Sequence, residues 1–271
     1  NLPKLPNSTG TVASNVFAEA VGQVAIAAGR DDSLPSLTGV HIEINEDTVT
    51  FAATDRYRLA VREIQWTPTA PNTSTTAFLR ARTIESAAKS LIGSKEVSLS
   101  FAPNTSDDRL AGFAGEGKTM TSRMLDGTFP IYTNLLQREV ATTALIEVAT
   151  LLDSVRRVAL VADKTVPLRL DFADNTISLA AGAGEEAQAT EAIEILLTGE
   201  PISIAFNPTF FEQGLIAVGT KFVQITFTES GDFNFSFKNY RLGEQILPSF
   251  HFGIIVNIIF AKSVAFVGEP I

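Results

Sequence analysis

The residues best suited to recognising a ligand are concentrated in one short segment of this sequence. In FAATDRYRLAVRE, residues 51–63, a strand-like alternation runs directly into Arg56, Tyr57, Arg58 and Leu59. Arginine and tyrosine are enriched in binding hot spots, and leucine can line an apolar pocket. The segment is therefore predicted to be a recognition site. The alternative is a solvated strand end that carries an ordinary Arg–Asp pair.

The rest of the sequence offers few residues suited to catalysis. There is no cysteine, and the two histidines, His41 and His251, lie far apart in the sequence, which disfavours metal sites and Ser-His-Asp triads. GEGK, residues 115–118, is too short for a phosphate-binding loop and is predicted to be a hairpin turn. We expect no catalytic residue, no metal and no cofactor. A hydrolase on duplicated α+β domains, using Asp55 or Asp126 beside an arginine, is an alternative.

Composition restricts the class of protein. The chain has 271 residues, 45% of them apolar, so it can bury sizeable cores and has room for one large domain or two ordinary ones. Its net charge of −9 argues against nonspecific nucleic-acid binding but does not exclude a basic stripe on one face. The absence of cysteine fits a reducing compartment, and a cytoplasmic location is expected. Residues 1–10, NLPKLPNSTG, contain no apolar run and are predicted to be a linker.

The elements that must position these residues occur twice in the chain. Three pairs of segments align in the same order, at offsets between about 126 and 134 residues: 17–29 with 151–163, 44–53 with 172–181, and 79–101 with 205–227. An offset of this size is a domain length and not a solenoid period. The sequence therefore predicts two domains of one fold, with a boundary near Gln137 to Thr143.

Each copy reads as helix, strands, helix, strands. The first helix has apolar residues at helical spacing from Phe17 to Val24, and residues 41–51 alternate with period two around an Asn-Glu-Asp turn. The second helix is predicted over 82–91, and strands follow it. Helix-end signals are assigned to Ser14 as an N-cap, Gly93 as a helix stop, Asn207-Pro208 as an N-terminus, and Gly219 as a helix stop. Antiparallel sheets with helices on one face fit this order.

The two copies differ at the segment from which the recognition site was inferred. FAATDRYRLAVREI, residues 51–64, lies opposite LAAGAGEEAQATEAIEI, residues 179–195. The flanking strand pattern is shared, whereas the cluster from Thr54 to Leu59 is not. Because the second copy has Gly, Glu and Ala at the corresponding positions, the fold does not require the cluster. This difference favours recognition over a purely structural role.

At this point the residues carry a family resemblance. ATDRYRLAVRE (53–63), preceded by VAIAAGRDDSLPSLTGV (24–40) and followed by RMLDGTFP (123–130) and ISIAFNPTFF (202–211), resembles the sliding clamp of bacterial replication. This is the β subunit of DNA polymerase III, in its actinobacterial form, and the resemblance covers roughly residues 3–228. It implies duplicated clamp-type α+β domains, each a repeated helix-plus-antiparallel-strands unit with helices on the inner face.

The resemblance also implies an organisation. Family members have three repeated domains per subunit, and two subunits close into a homodimeric ring around duplex DNA. This chain would then comprise a linker (1–10), a second domain (11–137) and a third domain (138–271). Helices facing the DNA would supply basic residues, at Arg30, Arg82, Lys89, Arg156 and Arg157. Each of these could instead be an ordinary solvated charge.

The resemblance further implies a peptide pocket between the second and third domains. The replicative polymerase, the clamp loader and repair proteins would insert linear peptides there, with no membrane partner. The positions that match the family are Leu37, Thr54, Arg56, Tyr57, Arg58, Leu59, Pro130, Leu135, Asn207 and Phe210. Without the resemblance, Pro130 would be interpreted as a turn residue, Leu135 as a core residue and Asn207 as a helix cap.

The end of the chain departs from the family. The family's Met-Pro-x-Arg-Leu-like C-terminal strand is not found, and residues 230–260 form an atypical, Phe- and Ile-rich segment. Its apolar run, 250–260, is shorter than the roughly 20 residues of a membrane span, so a buried strand is expected. The departure keeps open a two-domain peptide-binding scaffold that does not encircle DNA.

Overall fold

The computed structural model describes residues 6–102, 109–136, 139–161, 167–182, 189–228, 236–240 and 252–256. The chain forms two compact units, of which the first extends to Ile131 and the second begins at Tyr132. The division lies a few residues before the boundary expected from the sequence. Among the described residues, no helix is long and apolar enough to cross a membrane.

The first unit contains two antiparallel sheets and two main helices. Its elements are β1 (Gly10–Ala13), α1 (Ser14–Ala25), a 3-10 helix (Pro35–Leu37), β2 (Gly39–Asn45), β3 (Thr48–Thr54), β4 (Arg58–Gln65), β5 (Thr67–Pro68), β6 (Ser74–Arg80), α2 (Ala81–Leu91), β7 (Glu96–Phe101), β8 (Leu110–Gly115) and β9 (Lys118–Arg123). One sheet has the order β5-β1-β7-β8-β9, and the other contains β4, β3, β2 and β6 in that order.

The second unit repeats this plan. Its elements are α3 (Thr133–Leu136), β10 (Thr142–Glu147), α4 (Val148–Ala159), β11 (Leu168–Ala173), β12 (Thr176–Ala181), β13 (Ala189–Glu194), β14 (Leu196–Thr198), β15 (Ile202–Phe206), α5 (Pro208–Val218), β16 (Phe222–Phe227) and β17 (Ser236–Tyr240). Its sheets have the orders β14-β10-β16-β17 and β13-β12-β11-β15. A further strand, β18 (Phe252–Val256), follows in the chain.

The internal repeat predicted from the sequence is confirmed at the level of individual elements. Shifted by 134 residues, the bounds of α1 become those of α4. Shifted by 126 residues, the bounds of β7 become those of β16. The strand order β4-β3-β2-β6 corresponds to β13-β12-β11-β15. The predicted duplicated α+β architecture with antiparallel sheets is therefore correct.

An aromatic contact joins the layers of the first unit. The Phe17 ring on α1 lies 6.1 Å from the Phe51 ring on β3 and 5.8 Å from the Phe113 ring on β8. All three side chains are fully buried. Because β3 and β8 belong to different sheets, one helix residue closes the core between them. In the second unit, Phe172 on β11 and Phe227 on β16 meet directly, with ring centroids 4.9 Å apart.

The predicted helix signals are only partly correct. Asn207 caps α5 as predicted: its Oδ1 accepts hydrogen bonds from the N–H groups of Thr209 (3.0 Å) and Phe210 (3.2 Å). Gly219 ends α5 in the left-handed conformation, with φ of 66°. The prediction for Gly93 is wrong in its mechanism. Its φ is not left-handed, and α2 ends at Leu91, whose carbonyl accepts a hydrogen bond from the Ser94 N–H (2.9 Å).

The prediction that Ser14 caps α1 is also wrong. Ser14 is the first helical residue, and the preceding Ala13 makes no side-chain cap bond. The Ser14 hydroxyl instead donates to the backbone carbonyls of Ile92 (3.2 Å) and Ser94, just beyond the end of α2. It therefore links the start of one helix to the end of the other, and this contact is not visible in local sequence.

The predicted turns are confirmed. Glu46 and Asp47 join β2 to β3, with Glu46 at φ of 55°. In the GEGK segment, Glu116 and Gly117 connect β8 to β9, and Gly117 has a φ of 77°. In the atypical C-terminal segment, β17 and β18 are strands, and the rest of 229–271 lies outside the described residues.

We expect Ser14→Ala to lower the free energy of unfolding of the first unit by about 1–3 kcal/mol, because two carbonyls lose their buried donor. Trp66, the only tryptophan, is buried in this unit, so its fluorescence during urea denaturation reports the loss. Ser86→Ala is the control, since Ser86 is exposed and its hydroxyl donates to Arg82 O within the same helix, α2 (2.8 Å). Equal losses in both variants would contradict the role of Ser14.

His41 on β2 is half-buried, and its ring is stacked on that of Phe129 with the ring centroids 5.2 Å apart. Burial lowers the pKa of His41, with Glu43 opposing the shift. The unfolded chain, with a histidine pKa of about 6.5, then binds more protons than the folded one below that pH. Stability should therefore fall as the pH drops through about 6.5 towards the lowered pKa.

The measurement is the urea midpoint followed by Trp66 fluorescence between about pH 7.5 and about pH 5. His41→Phe keeps an aromatic ring beside Phe129 and removes the titration, so its midpoint should fall less over this range. Groups that do not interact with His41 are the same in both proteins, so their contributions cancel in the comparison. Identical pH dependence in the two proteins would show that His41 does not contribute.

Candidate functional site

The candidate site is built on the loop between β3 and β4. β3 ends at Thr54 and β4 begins at Arg58, and Thr54 pairs with Leu59 across the two strands. The Thr54 hydroxyl donates to the Arg58 carbonyl (2.7 Å) and accepts from the Arg56 N–H (3.2 Å). Hydrogen bonds among its own residues therefore stabilise the loop.

Asp55 forms the centre of this loop. Its Oδ1 accepts hydrogen bonds from the N–H groups of Tyr57 and Arg58, both at 3.0 Å. Its Oδ2 accepts from Arg58 Nε at 3.1 Å, in an ion pair. One oxygen thus shapes the backbone turn, as aspartate commonly does, while the other orients a guanidinium.

The backbone of the loop is strained at Arg56. Its φ is 79°, which is left-handed and uncommon for residues other than glycine. Such a conformation costs on the order of 1–3 kcal/mol and persists only where its surroundings enforce it. Strained residues cluster at functional sites, so this one supports a role beyond chain reversal.

Arg58 is a buried cation. The residue is 8% exposed, and burial lowers its pKa, with Asp55 opposing and the charge of Arg30 contributing to the shift. Arginine keeps its proton under such conditions, so a positive charge is held at the recessed edge of the loop. The neighbouring Leu59 is 4% exposed and Tyr57 is 46% exposed, which places an apolar wall and an accessible ring beside this charge.

A second loop, residues 29–38, lies at the same end of the first unit. Hydrogen bonds from Ser33 lower the pKa of Asp31, and the charge of Arg56 contributes to the shift. The Gly29 N–H donates to the carbonyl of Leu37 (2.7 Å), whose side chain is buried. The structure therefore brings Leu37 and Arg30 to the neighbourhood of the Thr54–Leu59 loop.

Pro130 is exposed at the end of a segment anchored in the first unit. The preceding Phe129 is buried against His41 and Phe78, with ring centroids 5.2 Å and 6.0 Å away. Leu135 belongs to the second unit. Its backbone lies in α3, and its side chain is outside the described residues.

Asn207 and Phe210 lie at the start of α5 in the second unit. Asn207 is exposed and uses Oδ1 for the helix cap, while Phe210 is half-buried. A hydrogen-bonding group and an aromatic ring are thus presented together at a helix N-terminus.

The candidate DNA-facing residues that lie on helices fall into two groups. Arg82 and Lys89 are exposed on α2, and among the described residues neither side chain makes a hydrogen bond or ion pair. On α4, Arg156 Nε donates to Glu212 Oε1 (2.8 Å), and Arg157 donates to both carboxylate oxygens of Glu191 (2.7 and 2.8 Å). The bonds from Arg157 and Ser154 lower the pKa of Glu191 to about 2, so this pair stays ionised at neutral pH.

Some functional residues were missed from the sequence. Asp55 was considered as a candidate catalyst or as the acid of an ordinary Arg–Asp pair, although an aspartate two and three residues before two N–H groups is itself a turn signal. Glu191 and Glu212 gave no signal, because they lie 34 and 56 residues from their arginine partners. In the described part of the chain, no group of three or more His, Cys, Asp or Glu side chains could hold a metal ion.

Known proteins can be compared with this geometry. The family model "DNA polymerase III beta subunit, central domain" matches residues 11–131, and "DNA polymerase III beta subunit, C-terminal domain" matches residues 133–235. The "Beta sliding clamp" of Streptomyces coelicolor is 48% identical over 229 residues, covering 84% of this chain and 61% of that protein. That of Micrococcus luteus is 43% identical over 196 residues, covering 72% of this chain and 62% of the relative.

Solved structures agree at the level of the fold. The beta subunit from the DNA polymerase of Streptococcus pyogenes matches with a TM-score of 0.82 at 22% identity, covering 95% of this chain and 67% of that one. The DNA polymerase sliding clamp from Bacillus subtilis gives 0.82 at 19% identity, covering 95% and 66%. The chain thus spans about 61% of the length of its S. coelicolor relative. With two family models that together cover most of the sequence, the resemblance is confirmed, and the chain belongs to the DNA polymerase III beta subunit family.

Proposed function

We propose that this chain is part of a DNA sliding clamp, a processivity factor without catalytic function of its own. As a homodimeric ring, the full-length protein would encircle duplex DNA in the cytoplasm, at the nucleoid. It would tether the replicative polymerase, the clamp loader and repair proteins through linear peptides. The observation that carries the proposal is the recessed Arg58–Leu59 site, found in a family whose relatives are named beta sliding clamps.

The peptide-binding surface is assigned first to the loop between β3 and β4. Leu59 and Leu37 supply apolar walls, Tyr57 an accessible ring, and Arg58 a fixed hydrogen-bond donor. Such a combination suits a short peptide with apolar side chains and a carboxylate or backbone carbonyl. The resemblance also implies peptide-binding roles for Thr54, Arg56 and Pro130 in the first unit and for Leu135, Asn207 and Phe210 in the second.

The DNA-facing role is assigned to the cationic faces of the helices. Arg82 and Lys89 are seven residues apart on α2, so they share a helix face where both are accessible to phosphate. Arg30, Arg156 and Arg157 are further candidates, although the last two are already bonded to carboxylates. A ring retains DNA by its topology, so a net charge of −9 is compatible with such a small cationic surface.

One observation favours a second candidate function, a two-domain peptide-binding scaffold that does not encircle DNA. The two cations on α4 are neutralised by Glu212 and Glu191, which leaves fewer charges for phosphate contacts. Peptide binding does not depend on these residues, so it would be unaffected.

The peptide site is tested with Tyr57→Ala and Arg58→Ala. Each should raise the dissociation constant by about 5- to 30-fold, because both residues are typical hot-spot anchors. The probe is a fluorescein-labelled peptide with the tail sequence of the S. coelicolor replicative polymerase, followed by fluorescence anisotropy. Leu59 is too buried for a charged substitution to be informative.

Ile92→Ala serves as the control, because Ile92 is an exposed apolar residue of the same unit with no assigned role. Its peptide affinity should equal that of the unmodified chain. Unchanged affinity in both Tyr57→Ala and Arg58→Ala would contradict the assignment of the pocket.

Encirclement is tested with a clamp subunit of the relatives' full length that carries this sequence. Loaded onto nicked circular DNA by a clamp loader, it should co-elute with the DNA in gel filtration and be lost once the circle is linearised. Retention on linear DNA to the same extent would contradict topological binding. Failure to load, combined with intact peptide binding, would favour the scaffold.

A further inference from the structure

We infer that Asp55 is the positioning residue of the peptide site, and that it fixes the loop and the Arg58 guanidinium through separate oxygens. The inference rests on the proposed peptide-binding function and deepens it. Asp55 itself is assigned no contact with the peptide. Its effect on affinity passes through Arg58, which it holds in one orientation.

The two carboxylate oxygens of Asp55 have different hydrogen-bond partners. Oδ1 accepts from the N–H groups of Tyr57 and Arg58, and Oδ2 accepts from Arg58 Nε. An asparagine at this position could retain the carbonyl oxygen for the two backbone N–H groups. It would place an NH₂ group opposite Nε, so two donors would face each other. The two functions of Asp55 are therefore separable by one substitution.

The charge on Arg58 makes its orientation sensitive to this partner. The side chain is buried, and burial disfavours its charged form, while Asp55 opposes that effect by its charge and its hydrogen bond. Asp55 contacts the guanidinium at Nε, at the base of the planar group, and so restricts rotation of the whole plane. Without the carboxylate, a buried charge loses its compensating partner, and we expect the side chain to leave the recessed position.

The loop itself shows that this arrangement is not a requirement of the fold. Shifted by 128 residues, the offset of the aligned hairpins, Asp55 corresponds to Ala183, which has no carboxylate. β12 and β13 nevertheless form the same antiparallel pair as β3 and β4. In the first unit, the bonds from Asp55 also enclose the strained Arg56, with its φ of 79°. The buried charge and the turn around the strained residue thus share one carboxylate, at a position where the repeat has alanine.

The test compares Asp55→Asn with Asp55→Ala, using the same labelled polymerase-tail peptide. Asp55→Asn keeps the turn bonds, so the Trp66-monitored urea midpoint should stay close to that of the unmodified chain while the dissociation constant rises about tenfold. Asp55→Ala should lose affinity and also lower the midpoint. Asp171→Asn is the matched control, since Asp171 also accepts from an arginine Nε (Arg169, 3.0 Å) but lies in the second unit.

A double-mutant cycle separates positioning from general damage. In an Arg58→Ala background, Asp55→Asn should have almost no further effect on peptide affinity, because the group it positions is gone. Equal losses with and without Arg58 would overturn the inference, as would unchanged affinity of Asp55→Asn in a chain where Arg58→Ala weakens binding. If Arg58→Ala itself leaves affinity unchanged, the failure lies with the proposed peptide site and not with the role of Asp55.

Discussion

The constraint on which each unit depends is the need of its helices to bury one face against antiparallel sheets. In the first unit, Phe17 meets this need by contacting rings from both sheets at once. In the second, Leu151 takes the equivalent helical position, fully buried, and the sheets meet through Phe172 and Phe227. The apolar face packs in the core, so polar and charged residues occupy the opposite face of α2 and α4. That division creates the cationic surfaces of α2 and α4.

The candidate site lies on the β3–β4 loop. This loop has a sequence that the repeat does not share, so the fold does not require its residues. The loop holds a buried arginine and a left-handed non-glycine residue, both of which destabilise a fold unless neighbouring groups compensate. Thr54 and Asp55 supply that compensation within six residues of sequence. A rigid, partly desolvated donor beside an apolar wall is the result, and this is the arrangement that favours peptide recognition.

The sequence could predict those features that depend on local or repeated patterns. The helices α1 and α4, the turn at Glu46 and the cap by Asn207 follow from periodicity, turn chemistry and short-range hydrogen bonds. It could not predict the partners of Ser14, because its hydroxyl bonds to carbonyls 78 and 80 residues away. The loop residues were identified by composition, whereas the separate roles of the two Asp55 oxygens required coordinates. From the sequence, Arg156 and Arg157 could not be distinguished from Arg82 and Lys89. The carboxylates that pair with the two arginines are 56 and 34 residues away.

That last difference bears on how an acidic chain could hold DNA. An arginine bonded to glutamate through both carboxylate oxygens contributes little to the distant field, because the two charges nearly cancel. Arg157 and Glu191 form such a pair, and the bonds that lower the pKa of Glu191 to about 2 keep it intact across the physiological range. Uncompensated charge is present on α2, where Arg82 and Lys89 are accessible. A few unpaired cations attract phosphate without binding it tightly, and a clamp that moves along DNA requires this balance. The net charge of −9 is therefore compatible with the proposed DNA-facing role, because a pair such as Arg157 and Glu191 does not reduce the charge that α2 presents.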